Sequence, residues 1–428
     1  MIDFRIEPEL QAKLDWMKTF IKEECEVMDL LFPGFGDPYD TSNAKARRLL
    51  KPLQQQVRAQ GLWACHLGKD LGGPGYGQVT LGLMNELIGR SQWAPTIFGT
   101  AAPDTGNAEI LAMFGTEAQK ARFLQPLMDG EIVSCFSMTE PQGGADPTEF
   151  TCRAWREGDE WVIEGDKWFS SNARFAAFLI VMAVTNPENP PHSRMSMFIV
   201  PAETPGIEIL RNVKLSGEVD AEEGAHAHIH YDRVRVPLDA MLGAPGEAFK
   251  VAQARLGGGR VHHAMRSVGQ CQRALDMMLE RAVSRRTKGR MLGDHQFVQG
   301  MIADSVVELE QFRLLVLKTA WIIDNEPHGA ARPWIAMCKI QLAKVYSDIT
   351  QRAVHLHGSL GVSADMPLGK MLMGGPTLGV ADGPTEVHKV QLAKAYLKNV
   401  VPAPGLFPSE HLPTRLAAAK ARYPEEFV

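Results

Sequence analysis

The hydrophobic periodicity of this sequence changes twice along the chain, and these two changes constrain the fold more than any other feature. Apolar residues recur at helical spacing before residue 132 and again after residue 245. Between these points the chain reads as short β-prone runs separated by turns. The runs are I-V-S-C-F-S-M, F-T-C-R-A-W, E-W-V-I-E-G, A-F-L-I-V-M-A-V, M-S-M-F-I-V and A-H-A-H-I-H-Y. The sequence therefore predicts a mostly α protein with a central β domain, built as a small barrel or sandwich.

The apolar spacing predicts helices on both sides of this β domain. The N-terminal segment is predicted to be all-helical, with helices over 8–31, 42–60 (capped by Ser42 and stopped by Gly61), from about 78, over 106–114 and over 116–128. The C-terminal segment predicts longer helices, whose order is typical of a four-helix bundle, over 246–288, 294–325, 332–357 and 385–399.

A chain of 428 residues is long enough to form more than one core. We expect an N-terminal helical domain over 1–131, a β domain over 132–245 and a C-terminal four-helix bundle over 246–400. The remaining residues, 401–428, are predicted to form a tail, either an arm or a loose end.

Composition and charge exclude several classes of function. The net charge of −5 gives no support for a nucleic-acid partner. The first ten residues are polar and acidic, so they do not predict a secretory signal. The longest apolar run, 175–184, has the length of a strand rather than of a membrane span. We expect a cytoplasmic protein.

The spacing of the cysteines, histidines and glycines predicts neither a metal site nor a phosphate-binding loop. The six cysteines include no C-x-x-C pair, which favours reduced, buried thiols. His226, His228 and His230 share one face of a predicted strand, but no carboxylate shares their register, so a solvated strand face is favoured over a metal site. The glycines between 72 and 77 do not fit G-x-G-x-x-G and are interpreted as a loop.

Two stretches of the β domain are suited to contact a flat polar ring. In F-S-M-T-E-P (136–141), Thr139 offers a hydroxyl and an amide, while Phe136 and Met138 offer apolar contact. In G-D-K-W-F-S-S-N (165–172), Phe169 is an aromatic that can stack on a ring face, and Ser171 offers a hydroxyl. Each stretch alone is equally consistent with a strand that runs into a turn or with a sheet-core aromatic.

Three stretches of the C-terminal segment carry further polar groups. R-R-T-K-G-R-M-L-G-D-H-Q (285–296) offers cations suited to phosphate, or a solvated basic loop. A-V-H-L-H-G-S-L-G (353–361) has small residues that let backbone amides approach a phosphate. G-V-A-D-G-P-T-E-V-H-K (379–389) places Asp382 in a tight loop before a helix, which alone is ordinary turn chemistry.

These motifs, in this order, resemble the acyl-CoA dehydrogenase family over about residues 5–400. A-P-D-T-G-N at 102–107 and G-R-V-H-H-A-M-R at 259–266 are similar to the branch that has Asp-Gly-Pro in place of the usual Glu-Gly-Thr. The resemblance implies FAD as cofactor, shared between the subunits of a homodimer or homotetramer. The implied cofactor-binding residues are Phe136, Met138, Thr139, Phe169, Ser171, Arg285, Thr287, Gln296, His355, Gly358, Ser359 and Glu386.

The reaction implied by the resemblance is the α,β-dehydrogenation of an acyl-CoA thioester. Asp382 would take the α-proton, hydride would pass to flavin N5, and the electrons would go on to an electron-transfer flavoprotein. We expect burial beside the apolar acyl chain to raise the pKa of Asp382, and its backbone N–H to bind the thioester oxygen. The implied substrate-binding positions are Ala145, Arg260, Ala381 and Gly383.

This chain departs from the family pattern at several of these positions. Ala145 replaces a serine near the CoA, Phe169 replaces a tryptophan, and Lys288 replaces an aromatic. Ala381, where the family often has a large residue, leaves room for a branched or ring-containing acyl group. Two alternatives stay open: a flavin-dependent acyl-CoA or nitroalkane oxidase on the same scaffold, and a catalytically silent CoA- or flavin-binding protein.

Overall fold

The computed structural model describes residues 5–215, 223–327 and 329–427. Within residues 5–131 the regular elements are helical, as predicted. The predicted helix over 8–31 is interrupted by a π-turn at Ile21–Cys25, and the one over 116–128 by a π-turn at Lys120–Leu124. The α-helices are α1 Pro8–Phe20, α2 Glu26–Leu31, α3 Ala44–Ala59, α4 Gln78–Ile88, α5 Ala94–Ile97, α6 Asp104–Phe114, α7 Glu117–Gln119 and α8 Gln125–Met128.

The cap predicted for α3 was assigned to the wrong residue. Asn43, rather than Ser42, accepts a hydrogen bond from the Ala46 N–H at 3.1 Å, while the Ser42 hydroxyl binds Asp40. Both residue types favour N-caps, so composition alone did not separate the two neighbours. The helix stops just before Gly61, whose φ of +68° needs a residue without a side chain.

The β domain is a seven-stranded sheet in the part of the chain that the structure describes. Strand β1 pairs with β4 in parallel, and β5 pairs with β4 antiparallel. Strands β2, β3, β7 and β6 pair antiparallel in that order, with a crossover between β3 and β7. The strands are β1 Ser134–Ser137, β2 Arg153–Glu157, β3 Glu160–Ser171, β4 Phe178–Val184, β5 Met195–Pro201, β6 Ile207–Val213 and β7 His226–Pro237.

Each of the six predicted β-prone runs overlaps a strand, and β6 was missed. The side chains of β6 are exposed or half-buried along its whole length, so its sequence lacks the apolar alternation of a core strand.

Long helices form the C-terminal segment, but two substantial helices rather than the single predicted one lie between α11 and the tail. A helix that contains four glycines and a proline, α13, precedes α14 and was missed, because these residues disfavour helices. A short hairpin, β8 Arg286–Thr287 with β9 Arg290–Met291, connects α9 to α10. The helices are α9 Ala248–Ser284, α10 Gln296–Asn325, α11 Arg332–His357, α12 Ser359–Val362, α13 Leu368–Val380 and α14 Thr385–Leu397.

The predicted tail contains one more helix, α15 Leu412–Arg422, in which no residue is buried. All six cysteines are buried and free. Among residues 5–215, 223–327 and 329–427, no helix is both long and apolar enough to cross a membrane.

Helix α9 is the element that connects the three regions. One hydrophobic core joins its buried side chains, such as Met265 and Cys271, to those of α1, α3, α4, α10 and α11. A second core fills the interior of the sheet. A third lies between the sheet, α6 and the start of α9, where Val251 and Ala252 are buried. Several of the predicted site residues lie near the region where α6, α9 and β1 meet.

Candidate active site

Asp382 lies in a tight loop between α13 and α14, as predicted. Ala381 ends α13 in an extended conformation, with φ of −60° and ψ of 143°. Asp382 then has a φ of +55° and Gly383 a φ of +104°, before α14 begins at Thr385. A positive φ is uncommon outside glycine and is tolerated best by Asp and Asn. Two consecutive residues with unusual dihedrals therefore set where the carboxylate points.

Cations from two other helices hold the backbone of this loop. Lys339 of α11 is buried, and its Nζ donates to Leu378 O at 2.6 Å and to Ala381 O at 2.8 Å. Arg260 of α9 donates from Nε to Asp382 O at 2.8 Å. Among the described residues the Asp382 N–H has no acceptor. This N–H is thus available to an oxygen of a bound molecule.

The Asp382 carboxylate is surrounded by basic groups. His263 Nε2 lies 3.5 Å from Asp382 Oδ2, and the Asp382 side chain is 20% exposed. Burial alone would raise the pKa of Asp382, but the positive charges that His263, Arg255, Lys339 and Arg260 can carry outweigh burial and hold the pKa below its usual range. The pKa of Asp382 in the chain alone is therefore lowered, which the sequence did not indicate, because it did not reveal that these groups converge on one carboxylate.

Burial also changes the basic groups themselves. It lowers the pKa of His263 to about 4 and the pKa of Lys339 to about 8. At neutral pH the His263 ring is therefore neutral, while Lys339 keeps most of its positive charge. The carboxylate of Asp382 is ionised under the same conditions.

A second carboxylate, Glu109 of α6, lies near the same stretch of α9. Burial raises its pKa to about 7. An added Cβ at Gly258 would lie 3.0 Å from Glu109 Oε2, and one at Gly259 would lie 3.4 Å from Asp382 Oδ2. Two adjacent glycines thus leave room for both acids. Glu109 was not predicted as a site residue, because a single acid on a helix carries no signal of its own.

Arg255 of α9 links the base region to the β domain. Its guanidinium carbon lies 3.9 Å from the centre of the Phe136 ring, and its Nε donates to Asn107 Oδ1 at 3.0 Å. Asn107 Nδ2 in turn donates to Ser134 Oγ at 2.9 Å, and Asp104 Oδ1 accepts from the Ser134 N–H at 2.8 Å. The A-P-D-T-G-N stretch therefore joins α6 to β1 and α9. Arg255 was also not predicted as a site residue.

The two predicted ring-contacting stretches of the β domain lie side by side. The Trp168 N–H donates to Thr139 O at 2.8 Å. Lys167 Nζ donates to Met138 O at 2.8 Å and to Glu140 Oε1 at 2.7 Å, deep in the interior. Each stretch supplies one residue of this buried ion pair. The half-buried Met138 and Thr139 are therefore held by the bond from Lys167 as well as by the backbone hydrogen bond from Trp168.

Phe169 is held in an unusual conformation at the surface of the sheet. It has a φ of +55°, lies within a register shift between β3 and β7, and is 38% exposed. A positive φ at a bulky residue is a genuine outlier, and such outliers cluster at functional sites. The Phe169 ring stacks on His226 with centroids 5.1 Å apart, and Ser171 Oγ lies 2.8 Å from His226 Nδ1.

The remaining predicted site residues lie apart from the two ring-contacting stretches of the β domain. Among the described residues, no hydrogen bond, ion pair or ring contact connects them to the two β-domain stretches. Those at hairpin β8–β9, at the start of α10 and around the α11–α12 junction are all exposed: Arg285, Thr287, Gln296, His355, Gly358 and Ser359. Ala145 and Glu386 are also exposed, while Ala381 and Gly383 are half-buried in the base loop.

The histidine face of β7 differs from the prediction. His226 is buried rather than solvated. Asp166 of the neighbouring strand β3 lies 3.0 Å from His230 Nδ1 and 3.9 Å from His228 Nε2, so a carboxylate does share this face. The expectation of a solvated face without a carboxylate was wrong, because it considered one strand only. In the described ranges, no group of three or more His, Cys, Asp or Glu residues is arranged to hold a metal ion.

Sequence comparisons cover nearly the whole chain. The profiles for the acyl-CoA dehydrogenase N-terminal, middle and C-terminal domains match residues 37–131, 135–234 and 246–397. A probable acyl-CoA dehydrogenase, FadE2, from Mycobacterium tuberculosis is 41% identical over 82% of this chain and 86% of its own length. Acyl-CoA dehydrogenase family member 11 of Rattus norvegicus is 40% identical over 82% of this chain.

The chain spans 45% of that rat relative, so it matches about half of the longer animal proteins. Among solved structures, a putative acyl-CoA dehydrogenase from Mycobacterium abscessus superposes with a TM-score of 0.84 at 34% identity. That similarity covers 92% of this chain and 99% of the other.

Proposed function

This chain belongs to the acyl-CoA dehydrogenase family, and we propose that it catalyses the α,β-dehydrogenation of an acyl-CoA thioester with Asp382 as the base. The observation that carries the proposal is the state of Asp382. Its carboxylate is ionised at neutral pH and only 20% exposed, and its own N–H has no acceptor among the described residues. One residue therefore offers both a proton acceptor and a hydrogen-bond donor.

Because the pKa of Asp382 is lowered, catalysis needs two groups: the carboxylate as proton acceptor and the backbone N–H of Asp382 as hydrogen-bond donor. An ionised carboxylate is always ready to accept the α-proton, but a low pKa makes it a weak base. The acidity of the α-carbon must therefore be increased on the substrate side. The Asp382 N–H can donate to the thioester oxygen, where negative charge develops. The positively charged groups around the loop also stabilise the negative charge that develops on this oxygen.

Residues of the β domain fit the FAD that such a reaction needs. Phe169 presents a flat ring beside the Ser171 hydroxyl, and His226 Nε2, at the same place, is buried without a partner in the described part of the chain. Phe136, Met138 and Thr139 line the adjacent end of β1. When bound, FAD supplies the two-electron acceptor for the hydride that leaves the β-carbon. Glu386 is a further candidate contact, in the first turn of α14.

The exposed group on the bundle supports a cofactor site shared between subunits. Arg285, Thr287 and Gln296 lie in one basic segment, and His355, Gly358 and Ser359 lie at a helix junction. Because they have no contact with the β-domain cluster, we propose that they hold the pyrophosphate and adenine of FAD bound mainly by a second copy of the chain. A homodimer or homotetramer would then be the active form.

The base loop and its surroundings suit a substituted acyl group. Ala381 has a small side chain directly before the base, and Gly383 follows it. We propose that Ala381 leaves room for a branch or ring beside the α-carbon, with Arg260, Gly383 and the exposed Ala145 along the CoA path. Ala381→Tyr should then lower turnover of α-branched thioesters at least tenfold and leave straight-chain turnover within threefold. Equal or better parent turnover of straight-chain thioesters would contradict this part of the proposal.

The experiment that tests the proposed reaction is anaerobic bleaching of the bound flavin by a panel of acyl-CoA thioesters. The proposal expects bleaching by at least one thioester and formation of the corresponding enoyl-CoA. Failure of every thioester to bleach a preparation that contains FAD would favour a silent binding protein. Admission of air then distinguishes the acceptors: slow reoxidation, accelerated by an electron-transfer flavoprotein, fits a dehydrogenase, and rapid release of peroxide fits an oxidase.

A further inference from the structure

Lys339 is a buried lysine whose ammonium contacts no carboxylate directly in the described part of the chain, although the charge of Asp382 acts on it from farther away. It is 1% exposed, and its ammonium donates to two backbone carbonyls rather than to a carboxylate. Among the described residues it makes no ion pair within 4 Å. Burial of a cation without a direct ion pair is costly, so a fully buried lysine that binds only carbonyl groups is uncommon.

The two carbonyls that Lys339 binds are those that fix the exit from α13. The last carbonyls of a helix have no partner within that helix. Leu378 O belongs to the last turn, and Ala381 O is the carbonyl of the peptide that joins Ala381 to Asp382. Thr385 Oγ1 donates to Gly379 O at 3.2 Å, which closes the loop from the other side. The position of the Asp382 backbone thus depends directly on the Lys339 ammonium.

This dependence matters because Asp382 has a short side chain. An aspartate reaches about 1.5 Å less far than a glutamate, roughly one C–C bond. An error of about 1 Å in the position of a reacting group can lower a rate on the order of a hundredfold. The backbone of Asp382 has a positive φ, which few residues other than glycine adopt, so the loop must hold it in this conformation.

We propose that Lys339 is the positioning residue of the base loop, which holds the Ala381 and Leu378 carbonyls so that the short Asp382 carboxylate reaches the α-proton. This inference rests on the proposed function of Asp382. Lys339 does not itself touch the substrate. Its amine also titrates near the working pH, since burial lowers its pKa to about 8. The titratable and charged groups that face Lys339 are Asp382 in the base loop, Arg260 and His263 from α9, and His388 from α14.

The test compares flavin reduction by an acyl-CoA that bleaches the parent, in the FAD-loaded parent, Lys339→Met and Lys339→Arg. Lys339→Met should lower the limiting reduction rate by about tenfold to a hundredfold, with thioester binding within threefold of the parent. In the parent the rate should fall as pH rises through about 8, as the ammonium loses its proton. Lys339→Met should lack this alkaline limb, and Lys339→Arg, which stays charged, should move it beyond about pH 10.

Lys344→Met is the matched control, since Lys344 lies on the same helix with an exposed ion pair to Asp348. It should leave both the rate and the pH profile unchanged. Retained FAD absorbance and an unchanged melting temperature in Lys339→Met would separate positioning from folding. If the parent bleaches, but Lys339→Met has the parent's rate and keeps its alkaline limb, the inference is wrong. If Asp382→Asn also bleaches at the parent's rate, the proposed function itself fails.

The longer acid provides a second, independent comparison. In an Asp382→Glu background the side chain depends less on an exact backbone position. In this background Lys339→Met should lower the logarithm of the flavin-reduction rate by less than half as much as it does in the parent. An equal loss in both backgrounds would contradict the positioning role.

Discussion

Lys167 Nζ lies 2.7 Å from Glu140 Oε1, and both side chains are buried. Glu140 also accepts from the backbone N–H groups of Thr151 and Cys152, at 2.6 Å and 3.1 Å. Burial raises the pKa of Glu140, but Lys167 and these hydrogen bonds outweigh it, and the net pKa is lowered. The pair therefore stays charged and joins the two stretches that we propose contact FAD.

Lys167→Met should destabilise the protein strongly, because it leaves a buried carboxylate without its cation. We expect a loss of about 3 to 5 kcal/mol in the free energy of unfolding and weaker retention of FAD. Arg153→Met is the control, since it removes the exposed pair with Glu164 and should cost less than about 1 kcal/mol. Urea unfolding of both variants measures the difference. Equal losses would show that the buried pair has no special role.

Gly383→Ala should impair the base loop more than the protein as a whole. Gly383 has a φ of +104°, and an added Cβ would lie 3.1 Å from His388 Nε2. Gly158 is the control, since it has a φ of +62° with open space around it. Both substitutions should cost about 1 to 2 kcal/mol through backbone strain. Only Gly383→Ala should lower the flavin-reduction rate, by about tenfold or more. A similar rate in both variants would argue against a tightly constrained loop.

Phe169→Ala should weaken FAD binding, because it removes an exposed ring from the proposed flavin site. Stacked aromatic contacts contribute about 0.5 to 1.5 kcal/mol, so the dissociation constant should rise roughly threefold to tenfold. Phe407→Ala is the control: Phe407 also stacks on a histidine, His411, at 4.1 Å, but lies in the tail. Titration of the deflavinated variants with FAD measures both constants. An unchanged constant for Phe169→Ala would place the flavin elsewhere.

Glu109 should make folding stability depend on pH between its two pKa values. Burial raises its pKa from 4.5 to about 7, so the folded state binds the proton more tightly than the unfolded chain. The resulting stabilisation is full below about pH 4.5 and is lost as pH rises through about 7. Glu109→Gln should remove this loss, which is at most about 3 kcal/mol. The difference in unfolding free energy between pH 5 and pH 8 should therefore shrink.

Glu117→Gln is the control for that measurement, since the Glu117 side chain is 92% exposed. It should leave the pH dependence of the unfolding free energy as in the parent. If Glu109→Gln also leaves it unchanged, Glu109 does not titrate in the folded protein between these pH values.

Features that depend on residues close together in the sequence could be predicted from it. The helices of the bundle, the six core strands and the loop at Asp382 each have a local signal of periodicity or turn chemistry. The prediction failed where the local sequence favours one structure and the packing of the folded chain imposes another. Helix α13 forms in spite of Pro376, because its apolar face packs on α11, and β6 has no buried face to mark it.

The surroundings of Asp382 could not be predicted, because they come from separate parts of the chain. Arg255, Arg260 and His263 lie on α9, while Lys339 lies on α11, and only the fold brings them to one carboxylate. The resemblance indicated Asp382 as the base but gave no reason for its lowered pKa. The buried ion pair of Lys167 and Glu140 could not be predicted for the same reason. Each residue belongs to a motif that the sequence revealed, but the sequence did not indicate that the two are in contact.

The most direct test of the proposed mechanism is the rate of flavin reduction in Asp382→Asn, measured after anaerobic mixing with an acyl-CoA that bleaches the parent. Asn keeps the backbone N–H and nearly the same shape, and it removes only the proton acceptor. We predict that the variant retains FAD, binds the thioester within about threefold of the parent and reduces its flavin at least about a hundredfold more slowly. A reduction rate within tenfold of the parent would show that Asp382 is not the base.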